Sequence, residues 1–210
     1  MKRFLFRRIN RLVSRLGLQI VRKSLDFDNY PHDQETLGRI FSSLADEYDG
    51  WLNKQLLFKV NHNYKSIDAI EQFFNSWMKM PFREQSGGSR FNNLLWLFLI
   101  SKSLQPTVIV DSGTYQGASA WALSLGCPDC ETHSFDIDLS NVKHKCKKPV
   151  HYHESDWTAH DFSGCDFRRS LVYFDDHLDQ VKRLSEAIKK NFSVAIFDDD
   201  FSVTSYFSMA

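Results

Sequence analysis

The chain has 210 residues, with 26 basic and 26 acidic side chains, 42% hydrophobic residues and 18 Phe, 7 Tyr and 5 Trp. This composition excludes a disordered chain, a collagen-like repeat and a disulfide-stapled mini-protein. The length fits one domain with an extra segment, or two small domains. No stretch reaches the about 18 uncharged apolar residues of a membrane span, and the arginine-rich start of the chain is not typical of a secretory signal.

Residues 1–24 carry eight basic side chains and no acidic one, and apolar residues between Phe4 and Ile20 recur at helical spacing. We therefore predict a basic amphipathic helix over 1–24 of a cytoplasmic protein, with an anionic lipid surface at the inner membrane face as its partner. The alternative is a helix that packs on the body of the protein or on another chain. Because every acidic residue follows residue 24, the rest of the chain is net acidic, which argues against nucleic-acid binding.

The segment 25–85 is predicted to form a helical cap. Its first part, 25–35, contains Asn29 and Pro31 among acidic residues and is typical of a linker. Two apolar stripes at helical spacing follow, and Ser66 is predicted to cap the start of the second helix. The stripes are Leu37, Ile40, Phe41 and Leu44, and then Ile67, Ile70, Phe73, Phe74 and Trp77.

In the segment 86–210, short β-branched runs alternate with helical patterns. A strongly apolar helix over 90–104 comes first and ends before Pro106. The predicted strands cover 107–110, 132–135, 150–153, 171–174 and 194–197, and further helices cover 119–125 and 178–191, the last with Val181, Leu184 and Ile188 on one face. Strands that alternate with helices predict a parallel α/β sheet with right-handed crossovers.

Four cysteines occur, and Cys127 and Cys130 form a lone C-x-x-C pair. A structural zinc site usually has two such pairs. Reduced structural thiols of a cytosolic protein are therefore expected. The alternative is a zinc site that also uses the nearby His144, His151 or His153; the last two are expected to be structural and to face the same side of a strand.

Polar residues follow each predicted strand, where parallel sheets bind their ligands. Asp111-Ser112-Gly113-Thr114-Tyr115-Gln116-Gly117-Ala118-Ser119 follows the first strand, and its glycines allow a tight turn and a close approach to a ligand. It is neither the G-x-G-x-x-G of dinucleotide-binding proteins nor a P-loop. Carboxylates also follow the other strands, at Asp136 and Asp138, Glu154 and Asp156, Asp175 and Asp176, and Asp198 to Asp200. Five strands that each end in a carboxylate predict one ligand site at this edge of the sheet.

Residues 108–119 resemble the first motif of class I S-adenosylmethionine-dependent methyltransferases. The form acid-x-Gly-x-x-x-Gly-x-Ser is similar to that of the cephalosporin hydroxylase/rhamnosyl O-methyltransferase-like branch, and 134–138, 173–177 and 196–199 resemble that branch in the same order. The resemblance covers roughly residues 86–200. It implies a Rossmann-like parallel sheet and methyl transfer from S-adenosylmethionine to a hydroxyl of a saccharide or related small molecule.

The resemblance also implies roles for single residues. The cofactor-binding set is Asp111 and Gly113 at the methionine end and ribose side, Thr114 and Gly117 in the same turn, Asp136 on the ribose hydroxyls, and Ser155 and Asp156 beside the adenine. Asp175, Asp198 and Asp199 match carboxylates that bind a divalent cation in related enzymes, here Mg²⁺. Asp175 and His177 are the implied catalytic residues, with His177 as general base. The alternatives are a helix-capping role for Asp111, a ribose contact from Asp138, and a solvated acidic rim.

A complete sheet of that family has two further strands, whereas ten residues follow Asp200 here. We therefore expect a topology without the last strands and one unpaired sheet edge that favours pairing with another chain. This departure supports an alternative function, a non-catalytic or truncated methyltransferase-fold binding subunit. A second alternative, an NAD-binding Rossmann enzyme, conflicts with the missing G-x-G-x-x-G. The patterns make no prediction of the oligomeric state.

Overall fold

The computed structural model describes residues 33–55, 64–80, 83, 88–146 and 150–198. The predicted helix over 1–24, most of the linker over 25–35 and Asp199 lie outside these residues. The described residues from Gln34 onward group into one compact unit, and the domain boundaries after residues 24 and 85 stay predictions. None of the described helices combines the length and the apolar character that crossing a membrane requires.

The described part of the chain contains one five-stranded parallel sheet. Its strands are β1 (Val108–Ser112), β2 (Glu131–Asp136), β3 (Val150–Glu154), β4 (Ser170–Phe174) and β5 (Val194–Phe197). They are arranged in the order β3-β2-β1-β4-β5, and every neighbouring pair is parallel. The predicted Rossmann-like open sheet is confirmed, and the strand order reverses between β1 and β4. At such a switch point α/β sheets open a crevice for a ligand.

Five described helices accompany the sheet: α1 (Gln34–Leu52), α2 (Ser66–Trp77), α3 (Phe91–Leu104), α4 (Ala118–Gly126) and α5 (Gln180–Lys189). Helix α4 contacts β1 and β2, and α3 contacts α4. The outer helices α1 and α2 join this layer through aromatic side chains. The rings of Tyr48 and Trp96 lie 5.3 Å apart, and those of Phe73 and Trp121 lie 5.5 Å apart. The helices predicted in the cap region thus pack on α3 and α4 rather than on the sheet.

The predicted capping role of Ser66 is wrong. Ser66 is the first residue of α2, the preceding cap position is Lys65, and no side chain caps this helix end. The hydroxyl of Ser66 instead donates a hydrogen bond to the carboxylate of Asp49 on α1. The side chain of Ser66 therefore joins α2 to α1 instead of capping α2.

The two faces of the sheet differ in chemistry. One face carries an apolar cluster that includes Val110, Phe135 and Val172, covered by Trp157 and by Ala187 of α5. The face toward α3 and α4 carries polar groups as well, and every residue of β1 and β4 is buried. Strands that are covered on both faces need not alternate apolar and polar residues, which explains their short continuous apolar runs.

Helix α5 presents an unexpected face to the sheet. Val181, Leu184 and Ile188 do share one face, but they are 76%, 44% and 64% exposed. The buried positions of the helix are Arg183 and Ala187. An apolar stripe ordinarily predicts the core-facing side of a helix; here a charged residue occupies that side.

The cysteines also differ from expectation. Cys127 and Cys130 form a disulfide, whereas reduced thiols were expected. A zinc site built on this pair is therefore not formed. Cys146 and Cys165 are free thiols.

Candidate active site at the carboxyl edge of the sheet

A cavity of about 640 Å³ opens at the carboxyl ends of the strands, beside the switch point between β1 and β4. All five strands contribute to it. At the strand ends its wall contains Ser112 and Gly113 of the β1 end, Asp136 and Ile137 of the β2 end, Ser155 and Asp156 after β3, Asp175, Asp176 and His177 after β4, and Asp198 after β5. The structure thus brings Gly113, Asp136, Ser155, Asp156, Asp175, His177 and Asp198, all selected from sequence, around one space.

The turn after β1 is fitted tightly between neighbouring strands. Gly113 has a φ of 107°, and a Cβ at this position would overlap the backbone carbonyl of Asp175. The Gly113 amide donates to the Phe135 carbonyl at 2.9 Å, and the Asp175 amide donates to the Ser112 carbonyl at 2.8 Å. The glycine is therefore required by the packing of this turn against the end of β4.

Gly117 and Thr114 belong to the same turn but are not part of the cavity wall. Gly117 has a φ of 91°, and a Cβ there would come 2.7 Å from the His144 carbonyl oxygen. Thr114 is buried, and its hydroxyl lies 2.7 Å from the hydroxyl of Ser134. Both residues lie on the side of the turn that faces away from the cavity. Their contact with a cofactor stays a prediction.

Asp111 is fully buried on the polar face of the sheet, away from the cavity wall. One carboxylate oxygen accepts a hydrogen bond from the Ser134 hydroxyl at 2.6 Å. Within the described residues the other oxygen has no hydrogen-bond partner. Burial raises the pKa of Asp111 to about 7, against the opposing effect of the Ser134 and Ser119 hydroxyls. Its predicted contact with a cofactor therefore stays untested by this geometry.

Asp136 reaches the cavity and also fixes its rim. Its two carboxylate oxygens accept the backbone amides of Tyr115 at 2.8 Å and Asp138 at 3.1 Å. Each carboxylate oxygen has a second lone pair, so Asp136 can still accept a hydrogen bond from a ligand. Asp138, the alternative ribose contact, is not in the cavity wall and accepts the Ser140 amide at 2.8 Å instead.

Arg183 is the functional residue that the sequence patterns missed. Its side chain is 3% exposed, and its guanidinium contacts Asp156 at 2.6 Å, Asp176 at 2.8 Å and Glu186 at 2.9 Å. Ser112 also donates to Asp176, at 2.6 Å. Burial alone would raise the pKa of Asp156, but the hydrogen bonds from Arg183 and Thr158 outweigh it and lower that pKa to about 2.

A signal for this arginine did exist in the sequence. Carboxylates that crowd at neighbouring strand ends repel one another and need a cation. Arg183 is the one Lys or Arg among the residues assigned to the cavity wall in the described chain. The crowding of acids after β3 and β4 is therefore a reason to look for a basic residue nearby, although the pattern does not indicate which one.

The residues after β4 and β5 complete the wall. His177 has a φ of 55°, a left-handed conformation that is costly for a residue with a Cβ and that occurs at functional sites. Asp198 accepts a hydrogen bond from Asn93 of α3 at 2.9 Å. Among the described residues, no group of three His, Cys, Asp or Glu ligands within metal-binding distance includes Asp175 or Asp198. The predicted Mg²⁺ site also includes Asp199, which lies outside the described residues, and it stays a prediction.

No protein-family model matches the chain. No curated protein matches its sequence. Solved structures that match include the SAH-bound structure of CmcI-N160, at 17% identity and a TM-score of 0.45 over 74% of this chain and 79% of that one. Another is the SAH-bound Podospora anserina methyltransferase PaMTH1, at 16% identity and a TM-score of 0.40 over 80% and 71%.

A third match is the plantazolicin methyltransferase BpumL in complex with a monoazolic desmethylPZN analog and SAH. It has 12% identity and a TM-score of 0.42 over 83% of this chain and 64% of that one. At this level of similarity, the assignment of the fold rests on the strand order itself, and the assignment of the site rests on its geometry.

Proposed function

We propose that the protein is a class I S-adenosylmethionine-dependent methyltransferase that methylates a hydroxyl oxygen of a saccharide or related small molecule. The observation that carries the proposal is the convergence of polar side chains from five consecutive strand ends on one cavity at the switch point. The stretch that resembles the first motif of this enzyme class supplies the turn at Gly113 in that wall.

The wall offers groups that suit an adenosine-containing sulfonium. The cavity volume of about 640 Å³ lies within the usual range of small-molecule sites. Asp136 would accept hydrogen bonds from ribose hydroxyls, and Ser155 and Asp156 would border the adenine. The carboxylates of the wall favour a positively charged ligand. Asp111 and Thr114 would act indirectly, by holding the turn around Gly113 in place.

The residues after β4 would act on the acceptor. When bound, S-adenosylmethionine supplies a methyl group on a positively charged sulfur that an oxygen nucleophile can attack. His177 would take the proton of the acceptor hydroxyl, since imidazole is the side chain best suited to exchange protons near neutral pH. Asp175, two residues earlier in the same wall, would stabilise the resulting imidazolium.

The acidic wall also supports the proposed acceptor class. Ionised carboxylates only accept hydrogen bonds, so they match an acceptor rich in hydroxyl groups. Asp175, Asp198 and Asp199 would together hold a bound Mg²⁺, which would lower the pKa of a substrate hydroxyl. Rate measurements before and after chelation with EDTA decide whether such a site is used.

Transfer of a labelled methyl group from S-adenosylmethionine to a panel of saccharide and small-molecule hydroxyls tests the proposal. His177→Gln should lower kcat by about 100-fold with little change in cofactor affinity, while His144→Gln, outside the cavity wall, should leave it unchanged. Equal rates in both variants would contradict the assigned base. Cofactor binding without transfer to any acceptor would favour the non-catalytic binding subunit.

A further inference from the structure

A second cluster of ionisable side chains lies on the apolar face of the sheet, at its β3 edge. Strand register brings His133 of β2 beside His151 of β3, and places Phe135 beside His153. His160 follows the short turn Trp157–Ala159 and returns to the same face. The ring centroid of His160 lies 4.9 Å from that of His133 and 4.6 Å from that of His153.

The nitrogen atoms of this cluster converge. One ligand atom each from His133, His153 and His160 can be chosen so that all three lie within 4.8 Å of one another. Nδ1 of His133 is already 3.0 Å from Nε2 of His153. A tetrahedral Zn²⁺ with bonds of about 2.0–2.1 Å separates its nitrogen ligands by about 3.4 Å. Side-chain rotations that move these atoms by roughly 1 Å would therefore be sufficient.

The outer nitrogen of His133 is already oriented as in a metal site. Its Nε2 lies 3.0 Å from a carboxylate oxygen of Glu131, to which it donates when protonated. Histidine ligands in metalloproteins usually donate their second N–H to a carboxylate or carbonyl, which fixes the tautomer. Glu131 thus favours a lone pair on the Nδ1 atom that faces His153 and His160. His133 itself is buried, which limits its alternative orientations.

We propose that His133, His153 and His160 form a Zn²⁺ site. Three imidazoles leave one tetrahedral position for water, a ligand set that zinc accepts. The ion would tie the edge strand β3 and the segment after it to β2. Ser155 and Asp156, which border the active-site cavity, lie between His153 and His160 in the chain. A zinc ion bound by these two histidines would therefore also hold that part of the cavity wall in place.

A competing arrangement shares His133. Glu131, His133 and Cys165 also place one ligand atom each within 4.8 Å of one another. The Cys165 thiol lies 4.0 Å from the Glu131 carboxylate. A metal bound there would use Nε2 of His133, which is the nitrogen beside Glu131. The proposed site has three imidazole ligands, whereas the competing site has one thiolate ligand. Replacing Cys165 therefore removes a ligand from the competing site only.

Calorimetric titration with ZnCl₂ of the full chain, purified without a polyhistidine tag and stripped with EDTA, tests the proposal. We expect one Zn²⁺ per chain, a rise in Tm on zinc addition, and an affinity loss of about 100-fold in His153→Gln and in His160→Gln. These two histidines are half-buried, and circular dichroism of each variant establishes that it folds. The matched control His151→Gln, which stacks on His133 at 5.1 Å but is outside the ligand group, should bind within about twofold of the parent.

Three results would overturn the proposal: no zinc binding by the folded parent, unchanged affinity in both histidine variants, or loss of binding in Cys165→Ser. Glu131→Gln should lower zinc affinity by about 10-fold if it orients His133. Because binding is measured directly, the outcome does not depend on the proposed methyl transfer.

Discussion

The guanidinium of Arg183 lies 2.6 Å from a carboxylate oxygen of Asp156 and is almost completely shielded from solvent. The arginine comes from α5 and the aspartate follows β3, so this ion pair joins segments on opposite sides of the switch point. Through Asp176 and Ser112 the same network reaches the ends of β4 and β1. One buried cation thus organises the ends of three strands.

Removing this cation should destabilise the protein strongly. Arg183→Met keeps a long side chain but leaves Asp156 and Asp176 without their shared partner, and we expect a loss of about 3 kcal/mol in the free energy of unfolding. Urea denaturation measures it. The control Lys182→Met alters an exposed neighbour and should change stability by less than about 0.5 kcal/mol. Similar stability of the two variants would show that the buried network contributes little.

The turn at Gly113 should not tolerate even one added carbon. In Gly113→Ala, the alanine would have to adopt a φ of 107°, and its added Cβ would overlap the Asp175 carbonyl. We expect the free energy of unfolding to fall by about 1–3 kcal/mol or more. Gly164→Ala is the matched control, since a Cβ there meets no atom within 4 Å. Thermal unfolding of both variants is the measurement, and an equal Tm would contradict the close approach of the two strand ends.

Asp111 should make stability depend on pH in an unusual direction. Its pKa is raised from 3.8 to about 7 by burial, so the folded state keeps a proton that the unfolded state has lost. The stabilising contribution of this proton is therefore complete below about pH 4, and it declines by about 1.4 kcal/mol per pH unit as the pH rises toward 7.

Asp111→Asn is neutral at every pH and should remove that decline. Urea denaturation of the parent and the variant at about pH 4.5, 6 and 7.5 measures the difference, which should shift in favour of the variant as the pH rises. Asp129→Asn, a change at an exposed carboxylate, serves as the control. A parent and an Asp111→Asn variant with parallel pH profiles would show that Asp111 is ionised in the fold.

The basic segment 1–24 should bind anionic lipid. Deleting it removes eight basic side chains, each worth about 1 kcal/mol near a charged surface. Co-sedimentation with vesicles containing phosphatidylserine should therefore be lost in the truncated chain, and in the full chain at high salt. A truncated chain that binds these vesicles as well as the full chain would place the lipid contact elsewhere.

The sheet could be predicted from sequence because its signals are local. Each strand begins and ends within two residues of its predicted bounds, since apolar β-branched runs end at polar turns. All strands of a parallel sheet end at the same edge. This alone predicted that Asp136, Asp156 and Asp175 lie close together. Placing Gly113 in a tight turn likewise needed only the local pattern.

The interior of the site could not be predicted in the same way. The periodicity of α5 identified the face of Val181, Leu184 and Ile188, but ion pairs across the fold turn Arg183 inward instead. The resemblance implied a cofactor contact for Asp111, which stays untested, but no local pattern indicated its hydrogen bond with Ser134. The contact of Arg183 with Asp156 joins residues 27 positions apart, and that of Asp111 with Ser134 joins residues 23 positions apart. Local patterns do not contain such contacts.

Binding of S-adenosylhomocysteine tests the central claim most directly. Calorimetric titration of the full chain should give a micromolar Kd, with NAD⁺ as the control ligand showing no comparable affinity. Asp136→Asn should weaken binding by about 10-fold or more, because a charge-assisted hydrogen bond to the ribose is lost, while Asp129→Asn should not. A folded protein that binds no S-adenosylhomocysteine, or that prefers NAD⁺, would contradict the assignment of this cavity to a methyltransferase.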